Sequence, residues 1–190
     1  VEAGRADAVY LNTLGNALMG QGRTTEALSV FLRAHEAAPK EADILFNFAN
    51  AQARAGEERA AIESYRQCIA LKPGHIAAYN NLALLLKSLG DVESAAAVLI
   101  EAVAHDPKSA ELRFNLGNAL QAAGRLDAAE AAYRRTLELR PGHAQAHANL
   151  GVVLAERGRK TDADAEFRRA IALNPELASA YVGLADLIDD

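Results

Sequence analysis

The chain has 190 residues, 51% hydrophobic and 24% charged, with a net charge of -5 at pH 7. That balance fits an ordered, soluble chain, and its acidic excess gives no general attraction to phosphate backbones or anionic lipid, so no nucleic acid and no membrane surface is expected as partner. The lone cysteine, Cys68, has no partner for an internal disulfide, and no apolar run reaches the ~18 residues a membrane-spanning helix needs. A cytoplasmic setting is expected. The sequence opens at Val1 with neither an initiator Met nor an apolar signal segment, as an excised or processed piece would, and a targeting sequence upstream is not assessable.

Residues 1–7 read as a tail or the remnant of a preceding segment, and from residue 8 the sequence repeats. The five prolines, Pro39, Pro73, Pro107, Pro141 and Pro175, are spaced by 34 residues. Gly22, Gly56, Gly90, Gly124 and Gly158 keep the same interval, each 17 residues before a proline. A fixed period of this size signals a repeat architecture, and two breakers per period predict two helices. Glycine reaches positive φ without a Cβ penalty and ends the first helix; proline cannot continue the second. The first helices are expected at about 8–21, 42–55, 76–89, 110–123, 144–157 and 178–189, and the second at about 24–37, 58–71, 92–105, 126–139 and 160–173. The units are therefore 8–41, 42–75, 76–109, 110–143 and 144–177, with 178–190 a partial sixth or capping helix.

Within each hairpin the apolar positions recur at helical spacing, as Leu116, Leu120, Leu126, Tyr133 and Leu137 do in the fourth unit. Small residues fall where the helices should approach: Gly15, Ala49, Ala83, Gly117, Gly151 and Ala185 on first helices, Ala27, Ala61, Ala95, Ala129 and Ala163 on second ones. Phe31, Tyr65, Leu99, Tyr133 and Phe167 are expected to fill the gaps beside them.

Ala110 to Pro141, with Asn115-Leu116-Gly117, Ala129, Tyr133 and Pro141, resembles a near-consensus tetratricopeptide unit, and the resemblance covers about residues 8–190. The pattern departs at the first helix's large aromatic position, which holds Leu11, Leu45, Tyr79, Arg113, His147 and Tyr181, and the chain has no Trp. The resemblance implies an all-α, right-handed superhelical solenoid of antiparallel helix hairpins, five complete units plus one terminal helix, whose concave face is lined by first helices and binds protein.

The outward positions on that implied face are the second, fifth, sixth, ninth and twelfth of each unit. Nine of the ten asparagines fall there: Asn12, Asn16, Asn47, Asn50, Asn80, Asn81, Asn115, Asn118 and Asn149, with Asn174 elsewhere. Asparagine is a mediocre helix former, so its recurrence calls for a reason beyond propensity. An amide matches the alternating C=O and N–H of an extended peptide, and Asn47, Asn81, Asn115 and Asn149 present one per unit. This is similar to the asparagine ladder of O-linked N-acetylglucosamine transferases, which implies binding of polypeptides by their backbones. The other reading of these asparagines is support of packing between units. Phe46 and Phe114 at fifth positions, with Leu84 and Val152 at ninth, either seat apolar side chains of a ligand or pack on adjacent first helices. Some relatives hold acidic chaperone tails with lysine or arginine beside the asparagines. Here the fifth positions are Asn12, Phe46, Asn80, Phe114, Ala148 and Val182, which leaves no such cation and no expected carboxylate clamp.

Arg33, Arg66, Arg134, Arg135, Arg168 and Arg169 mark the second helices, where Glu130–Arg134 and Asp164–Arg168 are expected to pair as solvated ions; Ile100 interrupts the stripe as an exposed apolar residue. His143 and His147 share a helix face, a weak candidate metal pair with too few ligands. Cys68 is expected as a small buried residue. No cofactor and no catalytic arrangement is expected. The leading expectation is thus an adaptor binding an extended polypeptide. The alternatives are a substrate-recruiting arm of a larger enzyme, of the O-linked glycosyltransferase type, and a module that self-associates through open ends; the last helix either caps the stack, with Asp186, Asp189 and Asp190 facing water, or the stack continues or pairs with another copy.

Overall fold

The computed structural model describes residues 2–189, with the side chains of 6–187. Among them are eleven α-helices: α1 Glu2–Gly20, α2 Thr24–Ala37, α3 Ala42–Arg54, α4 Glu58–Leu71, α5 Ile76–Ser88, α6 Val92–His105, α7 Ala110–Ala122, α8 Leu126–Leu139, α9 Ala144–Glu156, α10 Lys160–Leu173 and α11 Ala178–Asp189. Every second helix has its expected bounds, while α1 starts six residues earlier than expected and takes in residues 2–7. The proposed role of Asp189 and Asp190 falls outside the described side chains.

The breakers act as their chemistry requires. Gly22, Gly56, Gly90, Gly124 and Gly158 all adopt positive φ, between 69° and 84°. After four of them the next N–H reaches back five residues, as Arg23 does to Leu18 O (3.0 Å) and Glu57, Arg125 and Arg159 do to Gln52, Leu120 and Leu154 (2.9 Å each). The residue before each proline is pushed out of the helical region: Ala38, Lys72, Asp106, Arg140 and Asn174 have φ near -140° and positive ψ.

The chain forms two compact units, Val1–Gly90 and Asp91–Asp190. In the first, α1 packs on α2, α2 on α3, α3 on α4 and α4 on α5; in the second, the same succession runs from α6 to α11. One core cluster of the first unit joins Ala8, Leu11, Leu18, Val30, Phe31 and Ile44 across three helices. Small and large residues interlock: a Cβ on Gly15 would stand 2.5 Å from the Phe31 ring, and one on Gly117 2.5 Å from the Tyr133 ring. Ala185 is exposed, because no second helix follows α11 among the described residues to set a large side chain against it; the Phe167 ring lies against Gly151, as expected, and also against Gly183.

Candidate functional site: the asparagine-bearing faces of the first helices

The asparagines are tied to rings beneath them. In the first unit, Asn50 Oδ1 accepts from the Tyr65 hydroxyl at 2.6 Å and from Asn81 Nδ2 at 2.7 Å. In the second, Asn118 Oδ1 accepts from the Tyr133 hydroxyl at 2.8 Å and from Asn149 Nδ2 at 2.8 Å. Burial raises the pKa of both tyrosines, so each stays a neutral donor. In the first hairpin the ring is Phe31, which has no hydroxyl to offer; Asn16 is exposed there, and Asn47 Nδ2 bonds instead to Asn12 Oδ1 at 2.9 Å.

Asn47, Asn81 and Asn149 are therefore half-buried, with their amide nitrogens turned to the preceding helix hairpin. Packing support between hairpins is thus one of their jobs. Asn80 and Asn115 are half-buried as well and have partners of their own. Phe46 and Phe114 are half-buried, not stacked on neighbouring first helices alone: Phe46 lies 6.2 Å from the Tyr65 ring and 4.7 Å from the His75 ring, Phe114 6.0 Å from Tyr133 and 4.6 Å from His143. Leu84 is 67% exposed, whereas Val152 is half-buried. Beside Leu84 a cavity of about 480 Å³ is lined by Asn50, Ala53, Tyr65, Asn81, Leu85 and Ser88, with Arg54 at its rim.

The two histidines weighed as a metal pair have separate tasks. His143 Nδ1 accepts the Ala146 N–H at 3.2 Å and so caps α9. His147 directs Nδ1 to Glu166 Oε2 at 2.6 Å and Nε2 to the Pro141 carbonyl at 3.0 Å. Two oxygens facing two ring nitrogens favour the imidazolium, and the Glu166 bond raises its pKa; burial, followed by Arg140, lowers that of His143. Arg113, at the same repeat position as His147, donates from Nε and Nη2 to the Pro107 carbonyl at 3.2 Å. A hydrogen bond to the proline loop replaces ring packing at both departures from the aromatic pattern. Cys68 is fully buried, and burial pushes its thiol up to about 11, which makes it a poor nucleophile.

On the second helices Arg168 pairs with Asp164 at 2.7 Å as a solvated pair, as expected, and Ile100 is exposed; Arg134 pairs with Glu130 at 2.9 Å, but that carboxylate is buried and not solvated. The spacing rules did not reveal that Glu130 is buried and also receives Arg157 and Arg159. Its burial alone would raise its pKa, but the bonds from Arg134 and Arg159 hold it below the usual carboxylate range.

Family models for the tetratricopeptide repeat match residues 6–73, 80–142 and 114–178. The chain belongs to the tetratricopeptide repeat family. Among solved structures it is similar to YrrB, described as a tetratricopeptide protein with an unusual peptide-binding site, at 24% identity and a TM-score of 0.78, over 96% of this chain and 94% of that one. MamA from Desulfovibrio magneticus RS-1 gives 20% identity and a TM-score of 0.79, over 90% and 97%. TTC0263 from Thermus thermophilus gives 25% identity and a TM-score of 0.64, over 96% and 100%. Among curated proteins none matches. A tetratricopeptide array is a protein-interaction scaffold, and these comparisons indicate no catalytic family. No helix among the described residues is long and apolar enough to cross a membrane.

Proposed function

We propose that the chain is an adaptor that holds an extended polypeptide on the asparagine-bearing faces of its first helices. The observation that carries this reading is the pairing, in the first unit, of amide oxygens with an apolar cavity: Asn81 stands beside Leu84, and both line the same 480 Å³ cavity. Such a combination suits a ligand main chain with an apolar side chain set into the cavity. In the second unit Asn118, Asn149, Phe114 and Val152 offer the same chemistry. Asn12, Asn16 and Asn47 extend it at the start of the first unit, and Asn80, Asn115, Asn50 and Phe46 complete the set. Asn47, Asn81 and Asn149 act as acceptors of ligand N–H groups, because their nitrogens are engaged within the protein, whereas Asn12, Asn50 and Asn118 have their oxygens engaged and act as donors. The YrrB description favours a peptide as ligand, and the same scaffold would serve equally as the recruiting arm of a larger enzyme.

The decisive experiment compares partners captured from lysate by the wild-type chain, by the quadruple variant Asn47→Ala, Asn81→Ala, Asn115→Ala, Asn149→Ala, and by Leu84→Glu, with thermal unfolding of each. Capture lost in both variants while Leu84→Glu keeps wild-type stability supports the reading. Unchanged capture by Leu84→Glu and by a folded quadruple variant overturns it.

Self-association is a second reading, favoured by the exposure of Val9 (59%) and Tyr10 (69%) on α1 and of Tyr181 and Val182 on α11. A molar mass that rises with concentration, and stops rising in Tyr10→Glu, is the expected result.

A further inference from the structure

His75 and His143 each accept a backbone N–H through Nδ1, a task open only to the neutral ring. Nδ1 of His75 takes the Ala78 N–H at 3.2 Å and caps α5; that of His143 takes the Ala146 N–H at 3.2 Å and caps α9. The same two rings back Phe46 and Phe114 at 4.7 and 4.6 Å. Between them in sequence, α7 is capped by Ser109 Oγ, which accepts the Leu112 N–H at 3.2 Å and does not titrate near neutrality. The series of caps is thus histidine, serine, histidine, and only the histidine caps lie against an aromatic residue of the candidate binding face.

We propose that the turn entering α9 is a pH-sensitive support for Phe114, in which protonation of His143 on the acid side of neutrality removes the helix cap and frees the phenylalanine above it. A protonated Nδ1 becomes a donor, so the Ala146 N–H then faces another N–H and keeps only its bond to the His143 carbonyl at 3.0 Å. The surroundings of the two rings differ. His75 Nε2 lies 3.2 Å from Asp43 Oδ1, which Lys72 Nζ also holds at 3.0 Å. The elements around His143 carry Glu111 and Arg113 on α7, Arg140 in the turn, His147 on α9, and Glu166 and Arg169 on α10.

The second turn carries two opposed titrations. The folded state lowers the pKa of His143, so its contribution is fully present above the ordinary imidazole value and is lost as pH falls through the lowered one. It raises that of His147, so this contribution is fully present below the ordinary value and is lost as pH rises through the raised one. The turn into α9 is held by both only in the window between.

The switch is tested on the free chain, so its failure and that of the peptide-binding reading are separable; only release of a bound segment on acidification rests on that reading. Imidazole 15N spectra at pH 7.5 should show Nδ1 unprotonated in His143. Between pH 7.5 and 5, amide-exchange protection at Ala146, corrected for intrinsic rates, should fall by up to about fivefold, the equilibrium equivalent of one lost N-cap, while Leu112 keeps its protection. His143→Asn supplies a cap that does not titrate in this range and should remove the fall. Nδ1 found protonated at pH 7.5, a parallel loss at Leu112, or an unchanged fall in His143→Asn overturns the proposal. If that variant does not fold, the comparison of Ala146 with Leu112 in the wild-type chain decides alone.

Discussion

The segments α3–α5 and α7–α9 carry one arrangement of phenylalanine, asparagine, tyrosine and histidine twice, 68 residues apart, on different foundations. Phe46, Asn50, Tyr65 and His75 recur as Phe114, Asn118, Tyr133 and His143. Under the first set stand Ala49 and the half-buried Ile62; under the second stand Gly117 and the buried carboxylate Glu130 with its arginines. The outward amide geometry is nearly the same in both, 2.6 and 2.7 Å against 2.8 and 2.8 Å. The outer face is set by the tyrosine hydroxyl and the pair of amides it anchors, and the layer behind is free to be apolar or ionic.

The strongest test of that separation is Gly117→Ala. Its methyl would sit 2.5 Å from Cε1 of a fully buried ring, so Tyr133 must shift within a packed core. Overpacking of this kind costs about 1–3 kcal/mol, and a value near 2–3 is expected in urea unfolding. Ala49 shows that an alanine can occupy the site when the rest is fitted to it, since Tyr65 still reaches Asn50. A cost below about 0.5 kcal/mol would mean that the Tyr133 ring has slack, and the two foundations would then be interchangeable.

Glu130→Gln should cost about 2 kcal/mol at pH 7, below the range for a fully buried pair because the arginine partners are 32–47% exposed. The folded state lowers the pKa of Glu130, so its contribution is fully present above the ordinary carboxylate value and is lost as pH falls through the lowered one. The difference between wild type and variant should accordingly shrink below about pH 4. The equivalent change Ile62→Val, with no charge involved, should show a pH-independent cost of about 0.5–1.5 kcal/mol.

Tyr65→Phe and Tyr133→Phe come next, at about 1 kcal/mol each, because each removes a hydroxyl proton given to a half-buried amide that retains its other partner, a proton that Tyr133 shares with Gln121 Oε1 at 2.9 Å. The first hairpin already shows the outcome: with Phe31 in place, Asn16 is exposed. The amides of Asn50 and Asn118 should gain mobility in side-chain NMR relaxation, and equal effects in both variants would confirm that the outer face does not sense its foundation.

The helices and the interlocking core were legible because glycine, proline and alanine act locally, and a 34-residue period repeats each local choice. Ala185 broke the pattern because its place opposite a large ring depends on a neighbouring helix that periodicity does not supply. The asparagine positions were legible, but their bonds were not: what an amide oxygen accepts depends on a hydroxyl 15 residues away on another helix, as between Asn50 and Tyr65. The 68-residue recurrence of phenylalanine, tyrosine and histidine was present in the sequence and would have linked them. The gathering of Arg157 and Arg159 on Glu130 crosses from one hairpin to the next, and an i,i+4 rule sees only Arg134.

Leu84 gives the smallest stability effect and the sharpest functional one. At 67% exposure, its side chain contributes little to the core, and Leu84→Glu should change unfolding free energy by no more than about 0.5 kcal/mol. The same change sets a carboxylate into the cavity formed with Tyr65, Leu85 and Ala53, where an apolar ligand side chain would have to desolvate it. Partner capture should therefore fall at least tenfold with stability unchanged, a combination the tyrosine and glycine variants cannot produce. Val152→Glu, at the equivalent position on the half-buried side of α9, should lose stability along with any capture. If Leu84→Glu binds as wild type does, the cavity has no ligand side chain in it, and the amides of the first unit act as packing between hairpins.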